Sequence, residues 1–94
     1  MGSYVIRIKV LPTGPDVPVQ GLLDGIKGNL TSVMSVRSHK EEPIAFGLYA
    51  LILDIVAPEE EGMVDQVEKA VSTAKDVAQY ELTAVSRMSS TLKV

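Results

Sequence analysis

The residue types that carry most protein chemistry are scarce in this sequence of 94 residues, which has one histidine, His39, and no cysteine. No second histidine and no spaced pair of acids accompanies His39, so its surroundings do not form a metal-binding pattern. No pairing of a nucleophile with a base can be recognised either. We therefore predict no metal, no cofactor and no catalytic residue, and the sequence argues against an enzyme.

Two further patterns have structural explanations. Gly21, Gly25 and Gly28 lie three or four residues apart inside a helical pattern, whereas a phosphate-binding loop lies between a strand and the start of a helix. The acidic groups at residues 41–42 and 59–61 fit a solvated face and the start of a helix, where exposed amides favour negative charge. What remains as a possible functional feature is a binding surface.

The stretch from Lys40 to Leu51 is the most distinctive one, because a charged segment with a proline leads into the longest apolar run of the chain. Pro43 has no amide hydrogen and favours an extended conformation at Glu42, so a turn between two strands is predicted here. Phe46, the only phenylalanine, follows this turn. An exposed loop with an aromatic residue, at the mouth of a rigid strand, predicts a contact site.

The elements that position this stretch can be predicted from apolar spacing. Alternation indicates a strand, and apolar residues three or four apart indicate a helix. The predicted elements are strand 3–11, helix 18–30, edge strand 33–40, central strand 46–57, a helix with its apolar stripe at 63–74, and strand 77–87. This order predicts an α+β, ferredoxin-like βαββαβ sandwich, with a four-stranded antiparallel sheet and both helices on one face.

Right-handed crossovers place the first and third strands at the centre of this sheet. The other face of the sheet is then free of helices. Leu51, Leu53 and Ile55, or the residues that alternate with them, are expected to be partly exposed there. Such a face could meet a partner or support weak self-association with a second copy.

Length and composition predict a single domain over residues 1–94, with residues 89–94 as a flexible tail. Hydrophobic residues make up 46% and charged residues 22% of the chain, which is ordinary for a globular protein. The sequence shows neither a membrane span nor a secretory signal, so a cytoplasmic location is expected. The formal net charge of −3 gives little electrostatic support for a nucleic-acid partner.

The stretch around Phe46 resembles the most recognisable motif of archaeal elongation factor 1-beta. It reads Glu42-Pro43-Ile44-Ala45-Phe46-Gly47-Leu48, with Lys40-Glu41 before it and Ala50-Leu51 after it. The beginning of the chain and Glu61-Gly62 also fit this family. The resemblance implies a guanine nucleotide exchange domain that promotes exchange of GDP for GTP on the GTPase elongation factor 1-alpha during protein synthesis.

The resemblance also implies two contact elements, which we expect at the same end of the sheet. One is the loop before the central strand, which contains Glu42, Pro43, Ile44, Ala45, Phe46 and Gly47. The other is the end of the last strand, where Arg87 falls on the family's basic position, next to the magnesium and phosphates of the GTPase. Eukaryotic relatives have lysine there, and Lys93 in the tail is a competing candidate.

The alternative from another class is a ferredoxin-like module that binds RNA or a small regulatory molecule. An RNA-binding sheet needs stacking aromatic residues on its central strands and a basic surface. This acidic chain contains only four aromatic residues, namely Tyr4, Phe46, Tyr49 and Tyr80. A regulatory module usually accompanies a catalytic domain, and none is recognised in this sequence.

Overall fold

Six elements follow one another in the predicted order in the computed structural model, which describes residues 2–45 and 47–89. The elements are β1 (Gly2–Pro12), α1 (Val19–Asn29), β2 (Ser35–Pro43), β3 (Tyr49–Pro58), α2 (Met63–Ser72) and β4 (Val77–Ser89). The strands form one sheet in the order β2-β3-β1-β4, and each neighbouring pair is antiparallel. The predicted ferredoxin-like α+β class, with β1 and β3 at the centre, is therefore confirmed.

One hydrophobic core lies between the sheet and the two helices, because alternate residues of the central strands point to the same side. The strands contribute apolar residues that are almost fully buried, and the helices contribute the matching stripes. These core residues include Ile6, Ile8, Val10, Leu51, Leu53, Ile55, Ala57, Leu22, Leu23, Ile26, Met63, Val67 and Val71. Burial of these side chains holds α1 in place, although glycines weaken its intrinsic helical preference.

The opposite face of the sheet carries the alternating residues of β1 and β3. Leu51, Leu53 and Ile55 are completely buried against the helices, so the partly exposed residues are their alternates. On β3 these are Ile52, Asp54 and Val56, all of intermediate burial. We call this side the open face.

The edge strand and the central strand differ from their predicted bounds. β2 continues through Glu42 to Pro43, which pairs with Tyr49, so the predicted turn at Glu42 and Pro43 is wrong. A proline is compatible with this position because β2 lies at the edge of the sheet and Pro43 is its last residue. β3 begins at Tyr49 rather than at residue 46, and the described residues of the connecting turn are Ile44, Ala45, Gly47 and Leu48.

At the other terminus, β4 extends to Ser89, which lies opposite Gly2. Ser89 therefore belongs to the sheet and not to a tail, contrary to the prediction. Residues 90–94, including Lys93, lie outside the described residues, as does Phe46. No helix in the described part of the chain is long and apolar enough to cross a membrane.

Candidate partner-binding site

The turn between β2 and β3 is fixed by its own backbone hydrogen bonds. The amide of Ile44 donates to the carbonyl of Leu48 at 2.9 Å, and the amide of Leu48 donates to the carbonyl of Ala45 at 3.0 Å. Gly47 has a φ of +78°, which glycine adopts without the steric cost that a side chain brings. Ile44 is 51% exposed, so the turn presents an apolar side chain to solvent.

A second loop, residues 13–18, packs against the base of this turn. The hydroxyl of Tyr49 donates to the backbone carbonyl of Val17 at 2.9 Å, in a half-buried position. A Cβ atom at Gly47 would lie 3.9 Å from Cβ of Pro15. Burial, together with the negative charges of Glu41 and Asp76, raises the pKa of Tyr49. The shift is in the direction that favours the protonated hydroxyl, which is the form that donates to the loop.

Arg87 lies near the end of β4, where it pairs with Tyr4 at the beginning of β1. Its guanidinium forms an ion pair with the carboxylate of Glu59, which directly follows β3. The amide of Glu59 donates to the carbonyl of Gly2 at 3.2 Å, so the acidic partner is tied to the sheet. The hydrogen bond and charge of Glu59 raise the pKa of Arg87. Arg87 is thus a charged, exposed group that already has an anionic partner.

These two elements lie at opposite ends of the sheet, so the expectation that they share one end is wrong. β3 and β4 both run antiparallel to β1 and are therefore parallel to each other. The turn precedes the start of β3, whereas Arg87 lies near the end of β4. Tyr49 is the first residue of β3, and Ala57 lies in the row of Tyr4 and Arg87. These two β3 residues are separated by about 26 Å at a rise of about 3.3 Å per residue.

The open face between the two ends contains an ion pair that the sequence analysis did not identify. Arg7 on β1 donates to both carboxylate oxygens of Asp54 on β3, at 2.8 and 3.0 Å. The hydroxyl of Ser38 donates to the same carboxylate at 3.3 Å. The pKa of Asp54 is lowered, because the hydrogen bond from Arg7, the positive charge of Arg7 and the hydrogen bond from Ser38 together outweigh the effect of burial. The only sequence signal was a carboxylate that interrupts an apolar strand.

The predicted contact residues divide between these locations. Glu42 and Pro43 end β2, and the described turn residues Ile44, Ala45 and Gly47 follow them. Arg87 lies apart from these residues, at the other end of the sheet. Phe46 and Lys93 lie outside the described residues.

Within residues 2–45 and 47–89, no group of three or more histidine, cysteine, aspartate or glutamate side chains is arranged to hold a metal ion.

Comparison with known proteins places this fold in a family. A model of the EF-1 guanine nucleotide exchange domain matches residues 5–88, which include both candidate contact elements. The chain belongs to this family, and the predicted resemblance is confirmed.

Individual relatives agree with this assignment. The chain is 35% identical over 88 residues to a protein named elongation factor 1-beta from Methanobrevibacter smithii, a match that covers 94% of this chain and 99% of the relative. It is 37% identical over 90 residues to the elongation factor 1-beta of Desulfurococcus amylolyticus, covering 95% and 100% of the two chains. The chain therefore matches proteins of this name over nearly their whole length.

Proposed function

We propose that this chain promotes the exchange of GDP for GTP on elongation factor 1-alpha during translation elongation. The observation that carries the proposal is the match of residues 5–88 to the EF-1 guanine nucleotide exchange domain. The names of the relatives, elongation factor 1-beta, support the same partner. The activity needs no covalent step, in keeping with a sequence that contains no recognisable pair of nucleophile and base.

The partner contacts are divided between the two ends of the sheet. The end of β2 and the turn, residues 42–47, serve as the anchor, with Ile44 exposed and Phe46 at the family's aromatic position. Arg87 acts at the other end, about 26 Å away along β3. A GTPase that contacts both elements must therefore extend along the whole length of the sheet. Because the central strands β1 and β3 pair without a register shift from Ser3 to Val10, the sheet holds the anchor and the cation at a fixed separation.

The action of Arg87 is electrostatic. A cation brought to the phosphates of bound GDP competes with magnesium for the same negative charge and weakens the metal's hold on the nucleotide. To do so, Arg87 must exchange its ion pair with Glu59 for a contact with the GTPase. The side chain of Arg87 is 73% exposed, and exposed ion pairs are weak. Breaking the ion pair with Glu59 therefore costs little free energy.

Linkage then gives the direction of the effect. An exchange protein binds the nucleotide-free GTPase more tightly than the nucleotide-bound form. It must therefore weaken nucleotide binding by the ratio of these two affinities. Each tenfold gain in the rate of release requires a barrier lower by about 1.4 kcal/mol. This change is within the reach of one well-placed charge in a water-excluded interface.

The direct test is the release of a fluorescent GDP analogue from elongation factor 1-alpha, measured with and without this protein. The proposal requires release to become faster, with saturation as the concentration of the protein rises. An unrelated protein of the same net charge, added at the same concentration, serves as the control. If the release rate stays at its unassisted value at saturating protein, the proposed function is wrong.

The structure does not favour RNA binding as a second function. Tyr4, Tyr49 and Tyr80 all belong to, or pack against, the helix-covered core. Among the described residues, the central strands therefore carry no tyrosine or phenylalanine on the open face on which a base could stack, as an RNA-binding sheet requires.

A further inference from the structure

The open face contains a groove of about 600 Å³ that lies between the two ends of the sheet. Its floor is Ile52 on β3, which pairs with Lys9 on β1 and with Lys40 on β2. Directly paired residues of antiparallel strands point to the same face, so the two lysines flank Ile52 in one row. Neighbouring strands are about 4.8 Å apart, which separates the two lysine backbones by about 10 Å.

The next row of the sheet forms a rigid wall beside this lysine groove. It consists of Ser38, Asp54 and Arg7, which are joined by hydrogen bonds of 2.8 to 3.3 Å. Asp54 is the only carboxylate among the described lining residues, and Arg7 already neutralises it. The acidic charge at the groove is therefore not available to the two lysines.

Neither lysine has an acidic partner in the described part of the chain, where the ion pairs involve only Arg7 and Arg87. Glu81 on β4 stands opposite Lys9 but lies beyond ion-pairing distance of it. Lys9 is also partly buried, so its stem covers the sheet while its ammonium group stays at the surface. The groove thus presents two lysines that form no ion pair within the described residues, beside an apolar floor.

The charge of this groove is opposite to that of the molecule. Its lining contains Arg7, Lys9 and Lys40 against one carboxylate, which is a charge of +2. The formal net charge of the chain is −3, so the remaining residues together carry −5. Cations gathered in one place on an acidic protein create a local field that attracts a short anionic segment.

We propose that the lysine groove binds a short acidic segment of a protein partner. This site is separate from Arg87 and adjoins the turn, since Lys9 and Ile44 line one smaller pocket. Two carboxylates of the segment pair with Lys9 and Lys40, and an apolar side chain between them rests on Ile52. A nucleic acid fits this site less well. The described residues of the open face offer no tyrosine or phenylalanine side chain for stacking, only His39 at the edge of the groove. The acidic remainder of the molecule also repels a long polyanion.

The proposal can be tested with a labelled peptide of glutamates around one central leucine, by fluorescence anisotropy at low ionic strength. A peptide with glutamines in place of the glutamates is the ligand control. The double variant Lys9→Gln/Lys40→Gln should bind the acidic peptide about fivefold or more weakly, the loss expected for two surface ion pairs. The matched variant Lys27→Gln/Lys75→Gln removes two exposed lysines outside the groove, so its affinity should stay within about twofold of wild type.

The position of the peptide gives a second readout. Amide chemical shifts in two-dimensional NMR spectra should change most around Ile52 when the acidic peptide is added, and the glutamine peptide should leave them unchanged. Equal losses in the two double variants would mean long-range attraction and overturn the proposal, as would absence of binding at millimolar peptide. Groove-dependent binding of oligouridylate but not of the peptide would also overturn it. None of these results depends on whether the protein accelerates GDP release.

Discussion

Replacement of Tyr49 by phenylalanine tests whether one hydroxyl fastens the loops at the anchoring end. Tyr49 is 7% exposed, and its hydroxyl donates to the carbonyl of Val17 at 2.9 Å. Tyr49→Phe keeps the ring in the core and removes only the donor. Since the change leaves a half-buried carbonyl without its partner, we expect the free energy of unfolding to fall by about 1 to 2 kcal/mol.

Urea unfolding at neutral pH measures this loss directly, and thermal unfolding should show a decrease in the midpoint of about 4 to 8 °C for each kcal/mol in a domain of this size. Hydrogen exchange provides the local readout. The amide of Val17, which donates to Gly14, should exchange faster in Tyr49→Phe because residues 13–18 are less firmly held.

Tyr80→Phe is the matched control for this prediction. The hydroxyl of Tyr80 donates to the carboxylate of Glu68 on α2 at 3.1 Å, so the substitution removes the same group without touching either loop. Exchange at Val17 should remain at its wild-type rate in this variant. If Tyr49→Phe has wild-type stability and wild-type exchange at Val17, the hydrogen bond does not fasten the loop and our reasoning about this end is wrong.

Three further substitutions test other parts of the account. Asp54→Asn should reduce stability at neutral pH but not in strong acid. The lowered pKa of Asp54 provides stability above the ordinary aspartate pKa of about 3.9, which is lost as the pH falls through the folded-state value. Urea unfolding at several pH values should show the difference from wild type shrinking on acidification, and a constant difference would contradict this. Gly47→Ala should lower the free energy of unfolding by about 1 to 2 kcal/mol, because Gly47 has a φ of +78°. Gly14→Ala is the control, since a Cβ atom there has no neighbouring atom within 4 Å. Equal stability of the two variants in urea unfolding would refute backbone strain at Gly47. Phe46→Ala should weaken the complex with elongation factor 1-alpha by about 1 to 3 kcal/mol in calorimetric titration, and a large loss of thermal stability instead would place Phe46 in the core.

The order of elements could be predicted from the sequence because each signal is local. Alternation at residues 3–11 and the stripe from Met63 identify their elements without knowledge of the neighbours. The local signal is misleading at the end of β2, which continues to Pro43. Proline usually ends a strand, but at the last position of an edge strand its missing amide hydrogen breaks no bond to a neighbouring strand.

The separation of the turn from Arg87 could also have been derived from the predicted topology. Two strands that are both antiparallel to β1 run in the same direction, so the start of one and the end of the other cannot share an end of the sheet. The resemblance gives the two elements, whereas their relative position follows from the strand directions.

The contacts between distant residues could not be predicted in this way. Arg7 meets Asp54 only because the register of β1 against β3 aligns them, and a shift of one residue would place them on opposite faces. The bond from Tyr49 to Val17 depends on how a loop folds back over the sheet. The lysine groove likewise exists only because three strands bring Lys9, Ile52 and Lys40 into one row.

The division of labour between the two ends is tested most directly by the rate of GDP release as a function of the concentration of this protein. Arg87→Ala should lower the maximal assisted rate by about tenfold or more, equivalent to at least about 1.4 kcal/mol of barrier, with little change in the concentration that gives half the maximal rate. Ile44→Asp should raise that concentration and leave the maximal rate near its wild-type value. A wild-type maximal rate for Arg87→Ala would contradict the account, and Lys93 would then be the cation to test.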